Sequence, residues 1–286
     1  MKRILITGAT GFVGKQVTHI LSKTDSIITV VVRNGKEGLF SEFSNIKNII
    51  STPDIFSEDI DWWTQKCKNI DLIVHLAWYA EPGKYLDSKK NLDCLIGSLK
   101  LAKGAVRAGV KRFIGIGTCL EYDLSLGVLS IDTPLKPTTP YADTKVALYS
   151  SLSHLLPLCD IDFAWCRLFY LYGDGEDKRR LMGYLHSKLE KGEVANLTKG
   201  EQVRDFLDVT IAGQMIAEVV LGKQIGPINI CSGTPITVRE FAEKVADRYG
   251  KKNLLNFGSR PDNLSDPNFV LGVSNFEPSK FKKTKL

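Results

Sequence analysis

No stretch of the 286-residue chain approaches the roughly 18 to 20 apolar residues that a membrane span needs. Its nearest thing to a secretion signal, Met1, Lys2 and Arg3 ahead of Ile4, Leu5 and Ile6, is cut by Thr7 and Gly8, far short of a signal core. The six cysteines, Cys67, Cys94, Cys119, Cys159, Cys166 and Cys231, include no Cys-x-x-Cys pair. Most lie in apolar stretches, where a thiol behaves as a small hydrophobe, so the pattern points to a reducing, cytoplasmic setting. Four histidines, His19, His75, His154 and His186, lack ligand spacing, and no metal site is expected. Internal repeats and low-complexity linkers are absent as well.

Blocks of one charge are also scarce. The formal charge is +6, yet Lys and Arg are scattered, and the one dense basic cluster is Lys280, Lys282, Lys283 and Lys285. Charge runs at chain ends usually carry no docking element, so the cluster reads as a solvated tail and no nucleic-acid partner is expected. An anionic small substrate accounts for the basicity equally well.

What the chain does have is an ordinary globular composition, 43% hydrophobic and 24% charged, enough for one domain or one and a half. Apolar runs at 4–6, 27–32, 46–50, 72–76 and 113–116 read as successive strands, alternating with helical patterns. Over 91–109, Leu92, Leu95, Ile96, Leu99, Ala102 and Val106 mark one helical face and Gly109 a stop. A second long helix is predicted over 141–156, then a strand over 162–168. Past a polar loop at 174–180, a helix is predicted at 181–191, short strands at 194–197 and 203–206, and a helix at 210–221. An apolar run at 228–230 and a last amphipathic helix at 238–249 follow. Alternation of this kind predicts a parallel sheet wrapped by helices.

Two motifs bring chemistry to that frame. Thr7-Gly8-Ala9-Thr10-Gly11-Phe12-Val13-Gly14 follows an apolar strand and opens a helix, the setting that a dinucleotide pyrophosphate needs. A lone glycine loop is weak evidence, because tight turns also use glycine. Downstream, Pro140-Tyr141-Ala142-Asp143-Thr144-Lys145 places a phenol and an ammonium one helical turn apart on one face. A nearby cation favours phenolate over phenol, so Lys145 and the positive ring of a bound nicotinamide are expected to pull the Tyr141 pKa down toward working pH. Taken alone, Tyr-x-x-x-Lys is more often an ordinary helix-surface pair.

In this order the motifs resemble the extended short-chain dehydrogenase/reductase family of epimerases, dehydratases and ketoreductases acting on nucleotide sugars. The resemblance covers about residues 2–273. It rests on the glycine loop, on Asp71 to Ala77, Asn91, Thr118 ahead of Glu121-Tyr122, Tyr141 with Lys145, Arg167 to Gly173, and Val203-Arg204-Asp205-Phe206. The stretch 200–206 looks most like enzymes that finish nucleotide-linked deoxysugars, of the CDP-abequose synthase type. The implied fold is α/β, a Rossmann-type doubly wound parallel sheet. Residues 1–173 would form the dinucleotide-binding part, and 174–286 a smaller α+β substrate-binding region interleaved with the last strands.

The resemblance implies Thr118, Tyr141 and Lys145 as catalytic residues, with Thr118 holding the substrate oxygen. It implies a cofactor site at Gly8, Thr10, Gly11, Phe12, Val13, Gly14, Leu76, Ala77 and Asn91, along with Tyr141 and Lys145. Asn91 also reads as a plain helix N-cap. His75 is expected to be packed and Asp71 to be a structural cap. An acidic residue about 20 positions past the loop would indicate NAD, but Arg33 and Asn34 stand there, which favours NADP and leaves NAD as the alternative. Substrate contacts are implied at Thr118, Cys119, Tyr141, Arg204 and Arg260. Guanidinium groups suit a diphosphate, and an ion pair with Asp205 or Asp208 is the bland reading of Arg204.

Cys119-Leu120 replaces the Asp-Glu pair that the family's dehydratases need, and Glu121, one residue on, would face the other way on a strand. A dehydratase is therefore disfavoured. The expected reaction is NADPH-dependent reduction of a nucleotide-linked 4-keto-6-deoxyhexose, with an NAD-dependent C4 epimerase as runner-up and a non-catalytic NADP-sensing protein behind it. Trp78-Tyr79 departs from the small residues usual there, which either narrows the sugar pocket or fills core. A homodimer through the two long helices is expected from the family.

Overall fold

The computed structural model describes residues 1–263 and 266–277, and the Lys280 to Lys285 cluster lies outside them. In chain order the elements are β1 (Lys2–Thr7), α1 (Phe12–Leu21), β2 (Ser26–Arg33), β3 (Ile46–Thr52), α2 (Ile60–Lys66), β4 (Leu72–His75), α3 (Lys90–Ala108) and β5 (Arg112–Thr118). Next come β6 (Val128–Leu129), α4 (Pro140–Leu158), β7 (Asp162–Leu168), β8 (Tyr170–Tyr172), α5 (Leu181–Glu190), β9 (Ala195–Asn196) and β10 (Val203–Asp208). The chain continues through α6 (Val209–Leu221), β11 (Gly226–Ile230), β12 (Pro235–Thr237), α7 (Val238–Asp247), β13 (Leu255–Asn256) and β14 (Leu271–Gly272).

Seven strands form one sheet in the order β11-β7-β5-β4-β1-β2-β3, and every neighbouring pair is parallel. Strands buried on both faces need continuous apolar sequence, which β1, β2, β4 and β7 supply. Helices α1 and α6 cover one face over a core that includes Ile4, Val17, Val30, Ile114 and Ile216. On the other face α2, α3 and α4 pack over Leu5, Trp63, Phe113, Leu152 and Trp165. This is the predicted Rossmann-type fold. The direction of winding reverses between β1 and β4, so a crevice opens at their carboxyl ends, the usual ligand position in such sheets.

Both long helices lie close to their predicted bounds. α3 ends where Gly109 takes a left-handed φ of 76°, and α4 starts at Pro140, with Thr139 accepting from the Ala142 amide at 3.2 Å. Past β7 the chain makes a three-stranded group, β12-β10-β8, and a separate apolar cluster in which α5 and α7 bury Leu185, Leu189, Phe241 and Val245. The predicted strand at 194–197 shrinks to β9, which pairs with β13 alone. Helix α2 and the short strands β6, β8, β12, β13 and β14 were not predicted, because each is too brief to show a period.

Candidate active site

The glycine loop lies at the mouth of that crevice. Gly8 has φ +74°, and a Cβ there would sit 2.5 Å from the Ala77 nitrogen; one on Gly14 would sit 2.0 Å from the Gly8 carbonyl oxygen. No side chain fits at either position, so the loop is closed against Leu76 and Ala77 by backbone alone. Gly11 donates to the Gly8 carbonyl at 3.0 Å and caps α1 without a side chain. The amides of Phe12, Val13 and Gly14 therefore begin a helix with no side-chain cap, and Thr10 stands beside them. Amides in that arrangement hold an anion such as a dinucleotide pyrophosphate.

Thr118 ends β5, and the start of α4, which carries Tyr141 and Lys145, packs against that end. Lys145 is buried and donates to the Ile116 carbonyl at 2.7 Å, tying α4 to β5. Its ammonium lies 3.7 Å over the Trp78 ring and 6.0 Å from the Tyr141 ring. Desolvation brings its pKa down to about 7, opposed by Glu121 and Cys94. Thr118 closes the strand and starts a short 3-10 turn at 119–121, its Oγ1 accepting from the Leu120 amide at 3.3 Å. Its hydroxyl proton is pledged to no acceptor among the described residues. Cys119 is buried in the same turn, its thiol pushed well above the usual range by desolvation.

The expected effect of Lys145 on Tyr141 is not what the structure shows. The Tyr141 pKa lies above the ordinary phenol range, raised by desolvation and then by Tyr85, Glu121 and Cys119, with Arg180 acting the other way. The ammonium is directed at a carbonyl and an indole, so it does not offset that desolvation.

Glu121 also departs from expectation. Residues 119–121 turn instead of extending, so strand alternation does not decide where the carboxylate points. It points inward: Glu121 is fully buried, receives hydrogen bonds from the Thr118 amide at 2.9 Å and the Trp165 Nε1 at 3.1 Å, and pairs with Arg167 Nε at 2.6 Å. Gly117 leaves the room, since a Cβ there would come within 2.4 Å of Glu121 Oε1. A carboxylate bound this way is committed to structure.

Asn91 is the second residue of α3, not its cap. It is buried, accepts from Trp78 Nε1 at 2.9 Å, and donates to the carbonyls of Tyr85 at 2.6 Å and Ser88 at 3.0 Å. His75 is packed as expected. Ser98 donates to the Cys94 carbonyl, so it accepts from His75 Nε2, which leaves Nδ1 to accept from Thr7, both at 2.7 Å. Desolvation holds that imidazole neutral, its pKa down to about 3. Asp71 pairs with Arg3 at 2.6 Å ahead of β4 rather than capping an element. Arg33 and Asn34 are exposed at the end of β2, and Arg33 forms no ion pair among the described residues.

A cavity of about 310 Å³ opens on the C-terminal side, lined by Tyr170, Arg179, Arg180, Tyr184, Arg204 and Arg260. Arg204 is buried with Nη2 2.7 Å from Asp266, donates to the Val203 carbonyl, and lies 5.2 Å from the Tyr170 ring centre. Its partner is thus neither Asp205, whose carboxylate accepts from the amides of Ser232, Gly233 and Gly272, nor Asp208, which caps α6. Arg260 stacks 4.6 Å over Tyr184. Arg180, absent from the predicted site, lines this cavity, and its charge opposes the rise that burial gives the Tyr85 and Tyr141 phenols. Beside it the Glu176 carboxyl is pushed up to about 7 by burial. The signal for Arg180 was its place just ahead of the α5 apolar period, in a loop that read as merely polar. Among the described residues no group of His, Cys, Asp and Glu could hold a metal, and no helix is long and apolar enough to cross a membrane.

Known proteins are similar to this chain along most of its length. The dTDP-6-deoxy-L-talose 4-dehydrogenase (NAD(+)) of Aggregatibacter actinomycetemcomitans is 25% identical over 278 residues, which are 94% of this chain and 99% of the relative. The CDP-abequose synthase of Salmonella typhimurium is 22% identical over 90% of this chain and 84% of its own. Among solved structures, a UDP-N-acetylglucosamine 4-epimerase from Methanobrevibacter ruminantium in complex with UDP-N-acetylmuramic acid superposes with a TM-score of 0.82 at 21% identity, over 97% of this chain and 93% of that one. The family model for the NAD dependent epimerase/dehydratase family matches residues 4–221. With glycine loop, Thr118, Tyr141 and Lys145 placed around one crevice, the chain belongs to the NAD-dependent epimerase/dehydratase family, the extended short-chain dehydrogenase/reductases that modify nucleotide sugars.

Proposed function

We propose that the protein reduces the 4-keto group of a nucleoside-diphosphate 4-keto-6-deoxyhexose, using NADPH. The observation that carries this reading is the placement of Tyr141 and Lys145 against the end of β5 beside the glycine cradle, with the neighbouring carboxylate of Glu121 bound to Arg167 and so not free for an elimination. Ketone reduction needs a proton donor at that point, and the Tyr141 phenol, its pKa raised by desolvation, can serve. A relative named as a 4-dehydrogenase of a 6-deoxysugar nucleotide, matched along nearly its whole length, supports the same carbon and the same redox chemistry.

The glycine cradle at Gly8, Gly11 and Gly14 would hold a nicotinamide cofactor, which when bound would supply hydride for the carbonyl carbon. Tyr141 gives its proton to the carbonyl oxygen, and Thr118 donates a hydrogen bond to that oxygen as negative charge develops there. Lys145 supplies the positive charge that stabilises the phenolate left behind. The amides of Phe12, Val13 and Gly14 hold the cofactor pyrophosphate, with Leu76 and Ala77 forming the wall beside it. Arg204 and Arg260 take the diphosphate of the substrate, the role for which paired guanidinium groups are suited. The free Arg33 supports a cofactor carrying a 2′-phosphate, although the dehydrogenase relative is named for NAD(+). A homodimer through α3 and α4 accounts for the exposed Leu92, Ile96, Leu155 and Leu158, and six free thiols suit the cytoplasm.

The test is oxidation of NADPH and NADH by the purified protein with dTDP-, CDP- and GDP-linked 4-keto-6-deoxyhexoses, the sugar product identified by NMR. Stoichiometric NADPH oxidation with formation of a 6-deoxysugar is the expected result. Epimerisation of ordinary nucleotide sugars with no net cofactor use would overturn it, as would loss of water from a nucleotide hexose.

A further inference from the structure

We propose that Trp78 is a positioning residue of this site: its indole face is the seat of the Lys145 ammonium, and its edge sets the ring of Tyr141. The proposal rests on the assignment of Tyr141 and Lys145 given above. Lys145 has one protein acceptor, the Ile116 carbonyl at 2.7 Å, and is otherwise desolvated. Three rings surround the ammonium, with Trp78 at 3.7 Å and Trp165 and Tyr141 at 5.8 and 6.0 Å, the outer limit for cation–π attraction. Trp78 therefore supplies most of what replaces water around the charge. Among the described residues no carboxylate makes an ion pair with Lys145; the acidic side chain that acts on it, Glu121, is bound to Arg167.

The same indole bears on Tyr141. The two rings meet edge to face at 6.5 Å and 79°, while Tyr85 meets the other flank of Tyr141 at 4.8 Å and 88°. One amide fixes both walls, since Asn91 accepts from Trp78 Nε1 and donates to the Tyr85 carbonyl. The clamp thus runs from the buried start of α3, through Trp78 and the loop after β4, to both groups that handle the proton. A small residue at 78 could not supply the ring face, the edge or the Asn91 bond. The aromatic at this position therefore acts on the chemistry through Lys145 and Tyr141 and is more than filling.

The groups facing Lys145 are Tyr141 on its own helix, Glu121 on the turn after β5, Cys94 on α3 and His75 on β4. Glu121 and His75 are held by hydrogen bonds that do not involve Trp78, and the Tyr141 phenol and Cys94 thiol are both pushed up by burial and stay uncharged, so the charges facing Lys145 are the same when Trp78 changes and a shift in its midpoint reports the indole. The experiment is an NMR titration of the Lys145 side chain in lysine-labelled protein, assigned with Lys145→Met. In Trp78→Leu the midpoint should fall by about half a pH unit to one unit, because the π face that favours the cation is gone. In Trp78→Phe, which keeps a ring but loses the Nε1 bond to Asn91, most of the midpoint should return. An unchanged midpoint in folded Trp78→Leu would overturn the proposal.

If Trp78→Leu does not fold, the parent protein still decides. The Trp78 indole N–H signal should titrate together with Lys145, and that titration should vanish in Lys145→Met; an indole signal indifferent to Lys145 overturns the seat. None of these readouts needs turnover, so an inactive parent would sink the reductase reading and leave this one standing. In an active enzyme the alkaline limb of kcat should move down in Trp78→Leu by the same amount as the NMR midpoint. A fall in kcat with no movement of that limb would mean that Trp78 only fills space.

Discussion

At the carboxyl edge of β1, β4 and β5, Thr118 and Lys145 are buried and Tyr141 is half-buried, and each is fixed by backbone or by a ring. In the cavity formed by α5, β8 and β10 the walls are long cations of mixed exposure, Arg204 buried, Arg180 half-buried and Arg179 and Arg260 exposed, held over tyrosines or beside acids that a ligand can displace. The first region has one workable geometry: a Cβ at Gly14 collides with a carbonyl, and Lys145 has one carbonyl and one indole to sit on. The second offers several guanidinium groups whose reach is set by rotamers. Dry, fixed groups suit a proton and a hydride that must move at bonding distance, and flexible cations suit a diphosphate whose charge matters more than its exact placement. Errors in the first should therefore appear in turnover, and errors in the second in substrate affinity.

The largest contrast comes from Tyr141→Phe. Removing one hydroxyl leaves the ring between Trp78 and Tyr85, so cofactor affinity and unfolding temperature should stay near those of the parent. Turnover should fall by about 10²–10⁴-fold, the scale of general acid catalysis. Single-turnover kinetics beside a cofactor titration separate the two effects, and near-normal turnover would remove Tyr141 from the mechanism.

Glu121→Leu breaks the same region by another route. It strands the Arg167 guanidinium, already buried with Nη2 lacking a partner among the described residues, and leaves the Thr118 amide and Trp165 Nε1 unpaired. Breaking a buried pair from one side costs about 3–5 kcal/mol, so the urea midpoint should drop steeply. A midpoint close to that of the parent would show that the pair is not structural.

Arg204→Leu probes the other region and should be milder. Asp266 is partly exposed and can be solvated when its partner goes, so the loss in stability is small. The KM for the nucleotide sugar should rise about tenfold or more with kcat within a few-fold, since a charge-assisted bond of about 1.5–3 kcal/mol is lost in ground and transition states alike. A fall in kcat with KM unchanged would blur the division between the two regions.

What could be read from sequence divides along similar lines. The glycine loop and the Tyr141–Lys145 spacing were legible because their logic is local, one turn of loop and one turn of helix. The alternating apolar runs were legible because each strand is buried on both faces. What could not be read are partners joined by the fold. Glu121 and Arg167 lie 46 residues apart and meet because β5 and β7 pair with Gly117 opposite Arg167. Trp78 finds Asn91 across a loop, and Arg204 finds Asp266 rather than its acidic neighbours. The proton balance of Tyr141 was misjudged for the same reason, because spacing reports that an ammonium is near and cannot report which carbonyl and which ring it faces.

Arg33 should give the smallest effect, and it tests whether the cofactor crevice has a flexible cationic margin of its own. It stands exposed at the end of β2, one strand from the glycine loop, with Asn34 beside it. An exposed arginine meeting a 2′-phosphate is screened by water and salt, so the preference it confers should be modest and should shrink as ionic strength rises. Arg33→Asp reverses the charge and places a carboxylate where ribose hydroxyls would be bound. NADPH should then weaken several-fold to about tenfold, while NADH holds or tightens. Fluorescence titration of both coenzymes at two salt concentrations measures the change directly. Equal losses for the two would remove Arg33 from phosphate recognition and turn the coenzyme reading toward NAD, without touching the chemistry assigned to Tyr141.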